Sequence, residues 1–295
     1  MDHTHIRATH SLAPDSSASE WSGTAKSGNT WTVLAGDALR MLARLQDDTI
    51  DCVVTSPPYY WLRDYGVQGQ IGQESTVREY VTHVAEIMDQ VRRILKPGGV
   101  LFLNLGDTYY SGKGESQGVD PKSNKRRFGL RAVDKSGGLG IGLKPKTAIG
   151  VPWRVAIEMM GRAWILRSSI IWYRKHALPE AVRDRPRRSY ENIFMFTKGR
   201  RYFFNRDALK DIDQEDMWTI VARPRSTNGL DTAPFPDELV LRCIEIGCPK
   251  GGIVLDPFAG GGTALRVALE SGRSAFGIDL NHEFCKYTAR TLAGL

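Results

Sequence analysis

The sequence has few cysteines and no long apolar run. Cys52, Cys243, Cys248 and Cys285 form no Cys-x-x-Cys pair, which argues against a zinc site or a disulfide framework, so we expect free, mostly buried thiols. No stretch approaches the roughly 20 apolar residues that a membrane-spanning helix needs. The polar N-terminus also lacks the apolar core of a secretory signal. These absences predict a cytoplasmic protein with no metal site and no membrane contact.

The net charge of +7 over 295 residues is concentrated in two segments. Between Lys122 and Lys146 there are eight Lys or Arg against one acid, and between Arg174 and Arg188 there are six against two. Basic residues confined in this way predict a surface for a polyanion such as a nucleic acid, although solvated loops without a ligand have the same composition. The candidate phosphate-contacting residues are Lys122, Lys125, Arg126, Arg127, Arg131, Lys144, Lys146, Arg174, Lys175, Arg183, Arg185, Arg187 and Arg188.

Short apolar runs alternate with segments of helical periodicity along most of the chain. Strands are expected at 31–35, 50–54, 100–105, 163–173, 253–255 and 275–278, and a hairpin at 193–197 and 202–205. Strands that alternate with helices indicate an α/β fold with a doubly wound, mostly parallel sheet.

Three stretches lack both periodicities. Residues 1–30 are rich in Ser, Thr, Ala and His and predict a disordered tail. Residues 109–149 and 207–233 are expected to be irregular, and a loop as long as the first is usually functional or disordered. We therefore expect one domain over residues 31–295, with a basic insert at 109–149 and an irregular segment at 207–233.

A glycine-rich turn follows the predicted strand at 253–255. It reads Asp256-Pro257-Phe258-Ala259-Gly260-Gly261-Gly262-Thr263, and glycine suits positions with positive φ or with a ligand close to the main chain. The helix that begins at Thr263 offers unpaired N–H groups and the positive end of its dipole. No Gly-Lys-Ser/Thr follows, which excludes a Walker phosphate loop. Asp279 ends the next strand, where nucleotide-binding folds place an acid for the ribose.

A second motif, Ser56-Pro57-Pro58-Tyr59, follows the strand at 50–54, about two hundred residues before the glycine turn. Two successive prolines fix φ and lack N–H donors, so the carbonyls of this turn can face a substrate. Taken alone, the motif is more typical of a proline turn after a strand than of a catalytic site. Because ligands bind outside the carboxyl ends of strands in open α/β sheets, the two motifs are expected to meet in one crevice.

The two motifs, in this order, closely resemble those of the amino-group DNA methyltransferases that use S-adenosyl-L-methionine, in their circularly permuted β group. The resemblance runs from about Trp31 to the C-terminus. It implies a Rossmann-like sheet of the seven-stranded type, double-stranded DNA as substrate and a set of cofactor contacts. By this resemblance, Phe258, Gly260, Gly262 and Phe235 lie at the methionine part, Asp279 takes the ribose, Asp37 holds the adenine amino group, and Asp256 and Thr263 complete the set.

The resemblance also implies the catalytic roles. Ser56 Oγ and the Pro57 carbonyl accept hydrogens from an exocyclic amino group, Pro58 makes the turn rigid, and Tyr59 stacks on a flipped base. Serine at position 56 is the usual form for cytosine N4, whereas adenine N6 enzymes mostly carry Asp or Asn. Cytosine is therefore expected, with adenine as the alternative. Asp37 has a second, compatible reading as a helix N-cap.

The remaining expectations concern partners. The basic insert is the expected target-recognition element, and the segment from Arg174 to Arg188 is a second phosphate clamp. A cognate restriction endonuclease, as in restriction–modification, and a homodimer are the candidate protein partners. An RNA or protein-glutamine methyltransferase and a non-catalytic DNA-binding module stay open as alternative functions.

Overall fold

The computed structural model describes residues 19–110, 142–175, 182–210, 212, 215–221 and 235–295. The strands are β1 (Glu20–Thr24), β2 (Thr30–Ala35), β3 (Ile50–Thr55), β4 (Leu95–Leu105), β5 (Ile165–Lys175), β6 (Tyr190–Thr197), β7 (Met217–Val221), β8 (Ile253–Asp256) and β9 (Ser274–Asp279). The helices are α1 (Ala38–Ala43), α2 (Val77–Ile94), α3 (Val151–Gly161), α4 (Asp237–Gly247), α5 (Thr263–Glu270) and α6 (His282–Ala293), with a short 3-10 turn at Arg206–Leu209.

The described strands pair into one sheet of nine strands in the order β1-β2-β9-β8-β3-β4-β6-β5-β7. The five from β2 to β4 are parallel neighbours, whereas β6 runs antiparallel between β4 and β5. The expected doubly wound, mostly parallel sheet of the seven-stranded type is confirmed. Its seven strands are those from β2 to β5 in sheet order, β2-β9-β8-β3-β4-β6-β5. At the two edges, β1 pairs antiparallel with β2 and β7 pairs parallel with β5.

Helices cover both faces of the sheet, three on each side. On β4, Leu101 and Leu103 pack in the core under α1, α2 and α3, while Val100 and Phe102 pack in the core under α4, α5 and α6. Successive residues of a strand point to opposite faces, so a central strand covered on both sides is apolar throughout. The crossovers leave the carboxyl ends of β2, β9, β8 and β3 together at one edge.

The N-terminal boundary predicted at residue 30 is wrong for residues 20–30, because β1 and the start of β2 lie there. Residues 1–18 lie outside the described residues. The five residues of β1 are half-buried or exposed in alternation, and none is fully buried. Gly23 packs directly on the Trp31 indole, where a Cβ atom would lie 2.7 Å from the ring. An edge strand of this kind has no apolar pattern to reveal it.

Two other predictions differ from the structure. Residues 202–205 form no strand, because β6 is already paired with β4 on one side and β5 on the other. The segment predicted to be irregular at 207–233 contains the 3-10 turn and β7. In β7, Trp218 and Ile220 are buried and alternate with outward-facing residues, a period too short to stand out in the sequence.

The structure bears out the prediction for the cysteines, since all four are free and buried. Of the basic insert, residues 111–141 lie outside the described residues. Its two ends pair with each other, since the Tyr110 N–H donates to the Thr147 carbonyl at 2.9 Å and the Lys146 N–H donates to the Tyr110 carbonyl at 2.8 Å. No helix in the described part of the chain is both long and apolar enough to cross a membrane.

Candidate active site

One cavity lies at the carboxyl edge of the sheet, lined by turns that follow β2, β3, β8 and β9. Nine of the twelve predicted catalytic and cofactor residues line it: Asp37, Ser56, Pro58, Phe235, Asp256, Phe258, Gly260, Thr263 and Asp279. The other three, Pro57, Tyr59 and Gly262, belong to the same two turns. The structure therefore brings together two motifs that are some two hundred residues apart in the sequence.

The glycine turn is shaped by backbone conformation. Gly260 and Gly262 have φ angles of 51° and 78°, which side-chain-bearing residues rarely adopt. A Cβ atom on Gly262 would lie 2.5 Å from Thr288 Cγ2, whereas at Gly260 its nearest neighbour would be the Phe258 carbonyl oxygen at 4.0 Å. Gly260 also lines the cavity, so a ligand can approach the main chain there.

Asp279, at the end of β9, both supports this turn and lines the cavity. Its Oδ2 accepts the Gly260 N–H at 2.7 Å, and its Oδ1 accepts the Asn281 N–H at 2.8 Å. Burial raises the pKa of the Asp279 carboxyl to about 6, although both backbone donors oppose the shift. Each carboxylate oxygen keeps a lone pair for a further donor.

Asp256, at the end of β8, connects the glycine turn to β3, which leads into the turn at Ser56. Its Oδ1 accepts the Thr55 hydroxyl at 2.7 Å and the Phe258 N–H at 3.0 Å. Burial raises the pKa of Asp256 to about 7, and the nearby Asp279 carboxylate adds to the shift. Thr55 is the residue before Ser56, so this hydrogen bond fixes the spacing between the two motifs.

Asp37 follows β2 and begins α1. Its Oδ1 accepts the Arg40 N–H at 3.0 Å, which confirms the N-cap reading. Because Asp37 also lines the cavity, its second oxygen is available for a ligand. The two predicted roles are therefore compatible in the structure as well.

The predicted catalytic turn, from Ser56 to Tyr59, is held by side chains from α2 and from the neighbouring strands. The Tyr80 hydroxyl donates to the Pro58 carbonyl at 2.9 Å. The ring of Tyr59 lies against Gly106, where a Cβ atom would be 2.5 Å from Cε2, so a larger residue at 106 would displace the ring. These contacts leave the tyrosine little freedom to turn.

The Tyr59 hydroxyl lies in a polar cluster of four side chains. It donates to Glu191 Oε2 at 2.6 Å and lies 3.1 Å from Asn104 Oδ1. The same carboxylate accepts from Asn104 Nδ2 at 3.2 Å and from an Arg174 guanidinium nitrogen at 2.9 Å. Burial and the adjacent Glu191 carboxylate raise the pKa of Tyr59 well above its ordinary value. The predicted site residues include neither Glu191 nor Asn104, although a polar residue within a buried strand signals such a cluster.

The two basic segments meet in space. Lys146, from the first, pairs with Asp184 of the second at 2.7 Å, and Lys146 lowers the pKa of Asp184 by this hydrogen bond. The Arg185 guanidinium lies 3.7 Å from the centre of the Tyr109 ring. Lys144, Lys175, Arg183 and Arg187 are exposed, Arg188 is half-buried, and Arg174 is held by Glu191. Lys122, Lys125, Arg126, Arg127 and Arg131 lie outside the described residues.

Comparison with known proteins gives the context of this site. Residues 50–290 match the model of a DNA methylase family. The type II methyltransferase M.XycI of Xanthomonas campestris pv. cyanopsidis is 39% identical over 270 residues, which cover 89% of this chain and 88% of that protein.

Within the described residues, no group of three or more His, Cys, Asp or Glu side chains could hold a metal ion.

Two solved structures share the fold. The PvuII DNA methyltransferase (cytosine-N4-specific) superimposes with a TM-score of 0.68 at 19% identity, over 92% of this chain and 90% of that one. A DNA modification methylase of Thermus thermophilus, solved in complex with S-adenosyl-L-methionine, gives a TM-score of 0.62 at 23% identity, over 88% and 92%. Both confirm the α/β sheet architecture.

Proposed function

This chain belongs to the N6/N4 family of DNA methylases, and from that premise we propose that it methylates the N4 amino group of a cytosine flipped out of double-stranded DNA. The observation that carries the proposal is the position of Ser56, which lines the same cavity as the glycine turn and the three strand-end carboxylates. A hydroxyl is thereby placed beside the site of a nucleotide-like cofactor.

The proposed methyl donor is S-adenosyl-L-methionine, and the residues of the cavity fit it. At Gly260 a Cβ atom would meet nothing nearer than 4.0 Å, Phe258 and Phe235 supply apolar surface, and Asp279 keeps acceptor capacity towards the cavity. When bound, this cofactor supplies an electrophilic methyl group. Asp279 would accept hydrogen bonds from the ribose, Asp37 from the adenine amino group, and the turn from Phe258 to Thr263 would hold the methionine part.

The residues of the catalytic turn act on the base. An exocyclic amino nitrogen is a poor nucleophile because its lone pair is delocalised into the ring. Ser56 Oγ and the Pro57 carbonyl would accept hydrogen bonds from its two hydrogens, which would direct the lone pair out of the ring. One of these hydrogens would leave as a proton once the nitrogen carries the methyl group. Extraction of the base costs a few kcal/mol, and one stack on Tyr59, worth ~1–3 kcal/mol, offsets much of that cost.

Adenine N6 is the second candidate substrate, since the matching family model covers both reactions and a hydroxyl can accept from either amino group. The serine at position 56 favours cytosine. The basic residues would hold the DNA phosphates around the base, and the insert at 109–149 would read the sequence. A cognate restriction endonuclease belongs to the same proposal, because the relatives are type II methyltransferases. A homodimer and a cytoplasmic location are further predictions from the sequence.

The test is product analysis after methylation. The purified protein is incubated with DNA, RNA or a protein extract and with cofactor that is labelled on its methyl group, and the product is digested to nucleosides or amino acids. Label in N4-methylcytosine from DNA is the expected result, and the Ser56→Ala variant serves as the control for contaminating activity. Label in N6-methyladenine would replace cytosine by adenine, and label confined to RNA or protein would reject the proposal.

A further inference from the structure

A directed chain of hydrogen bonds leads from the catalytic serine to Glu191. The Ser56 hydroxyl donates to the Tyr59 hydroxyl oxygen at 3.4 Å, and the Tyr59 hydroxyl donates to Glu191 Oε2 at 2.6 Å. The second bond has the short length of a hydroxyl bound to a carboxylate. The first is long, as catalytic hydrogen bonds commonly are before substrate binds.

Glu191 determines which way these bonds point. An ionised carboxylate has no hydrogen to give, and this one is enclosed by donors from Tyr59, Asn104 and Arg174. Its side chain is only 10% exposed, and the Arg174 guanidinium balances its charge. Tyr59 must therefore donate to Glu191, which leaves the Tyr59 oxygen as the acceptor for Ser56.

Asn104 prevents the reverse arrangement. Its Nδ2 group donates both to Glu191 and to the Asn192 carbonyl, each at 3.2 Å, so its carbonyl oxygen is the atom that faces the Tyr59 hydroxyl. Neither Asn104 nor Glu191 thus offers a hydrogen to the tyrosine. Asn104 and Glu191, which together fix the direction, lie on neighbouring antiparallel strands, β4 and β6.

We propose that Glu191 is a positioning residue which, through Tyr59, fixes the hydrogen of Ser56 away from the substrate and leaves the serine lone pairs for the target amino group. The inference rests on the proposed function, because an acceptor at Ser56 matters only for a substrate that presents N–H hydrogens. Without the carboxylate, the serine hydrogen would be free to turn towards the amino group and repel it.

A double-mutant cycle tests this role. Glu191→Gln can keep the Arg174 contact but places an amide N–H group in the cluster, so the direction of the chain is lost. We expect its kcat to fall by roughly 10- to 100-fold, with KM for DNA and cofactor affinity nearly unchanged. In the Ser56→Ala background the same change should have almost no effect, because the hydroxyl to be oriented is gone. Equal losses in both backgrounds would reduce Glu191 to a structural residue and overturn the inference.

Tyr59→Phe provides an independent cycle if Glu191→Gln does not fold. The phenyl ring keeps its surface for stacking. It lacks the hydroxyl that donates to Glu191 and accepts from Ser56. It should therefore lower kcat in the wild-type chain and be nearly silent in Ser56→Ala, with 2-aminopurine fluorescence at the target base unchanged. Glu158→Gln is the matched control. It removes a carboxylate on α3 that pairs with Arg162, away from the cavity, and should leave kcat unchanged.

A spectroscopic measurement needs neither cofactor nor DNA. In protein labelled with ¹³C at tyrosine Cζ, the Tyr59 resonance is assigned by its loss in Tyr59→Phe. Glu191→Gln should shift it, and Glu158→Gln should not. An unmoved resonance would show that the Tyr59–Glu191 bond is absent in solution. Product analysis of the wild-type protein shows separately whether the proposed function holds. If the product is N4-methylcytosine but the kcat losses of Glu191→Gln and Ser56→Ala are additive, only the inference about Glu191 is rejected.

Discussion

The two turns at the carboxyl edge of the sheet are held in place by different means. The glycine turn depends on two positive φ angles within the turn and on Asp279, 19 residues from Gly260. The catalytic turn depends on Tyr80, Asn104 and Glu191, which lie 22, 45 and 132 residues from their partners in it. One turn is specified locally, and the other by the assembled sheet.

This difference separates two kinds of mutational effect. Changes at the glycine turn should alter cofactor affinity, because its backbone and Asp279 form the proposed binding surface. Changes around the catalytic turn should alter turnover, because their partners direct groups that matter mainly in the transition state. The Thr55–Asp256 hydrogen bond is the point at which the two regions communicate.

The largest effect is expected for Ser56→Ala. Loss of the acceptor should lower kcat by about 100- to 1,000-fold, comparable with the loss of one oxyanion-hole donor in other enzymes. Affinity for DNA and cofactor, measured by calorimetry, should change little. Ser27→Ala, in the exposed turn between β1 and β2, is the matched control. Full activity of Ser56→Ala would show that the hydroxyl takes no part in the reaction.

Asp279→Ala should act on the glycine turn and lower the affinity for the cofactor. It removes the acceptor of the Gly260 N–H as well as the proposed ribose contact, so the cofactor dissociation constant should rise by about 100-fold, which corresponds to ~3 kcal/mol. Gly260→Asp should have a similar effect, because a side chain is strained at this φ. The exposed Asp47→Ala is the control, and circular dichroism checks the fold. Unchanged calorimetric affinity in both variants would reject the assignment.

Asp256→Asn should change the pH dependence of stability. A buried carboxyl with a pKa of about 7 keeps a proton that the unfolded chain, with a pKa of about 3.9, has lost. Between those values the folded state binds more protons, so the free energy of unfolding falls as pH rises.

The asparagine variant retains the Oδ1 acceptor but does not titrate. Its thermal midpoint should therefore fall less between pH 5 and pH 8 than that of the wild type, by roughly 5 °C for a chain of this size. Asp279, with a pKa of about 6, leaves a residual slope of the same sign. Identical slopes in the variant and the wild type would contradict the raised pKa.

The smallest effect is expected at the basic surface. Arg183 and Arg187 are exposed, and changing both to Gln should reduce the slope of log K for DNA against log salt by up to roughly 1.8, if each contacts one phosphate. The corresponding triple change at Lys125, Arg126 and Arg127 should remove up to about three such contacts. Cofactor affinity should not change in either variant.

The control for these variants is a double change of Lys250 and Lys286 to Gln, since both lysines are paired with acids, on α4 and α6 respectively. It removes the same charge as the double arginine variant but should leave the salt slope unaffected. A slope that is unaltered in the arginine variant would place Arg183 and Arg187 away from the DNA.

The contrast between the two turns also explains what could be predicted from the sequence. The seven strands that lie between the edge strands β1 and β7 were predictable because buried strands are apolar throughout. The lining of the cavity was predictable because glycine marks constrained backbone. The contact of Glu191 with Tyr59 was not, because a polar residue in a buried strand marks a polar cluster but not its partner, which here depends on the pairing of β4 with β6. The edge strands β1 and β7 escaped prediction for a related reason, since strands with one or no buried face carry little apolar signal.

The order of strands in the sheet has a consequence for synthesis of the protein. β8 and β9 lie between β2 and β3, yet they are the last of the described strands to leave the ribosome. Until then, β2 and β3 each lack the neighbour that completes the centre of the sheet, and their unpaired edges can join strands of other chains. The nascent chain should therefore depend on chaperones until residues 253–279 emerge, and fragments that end before β8 should aggregate rather than form a smaller domain.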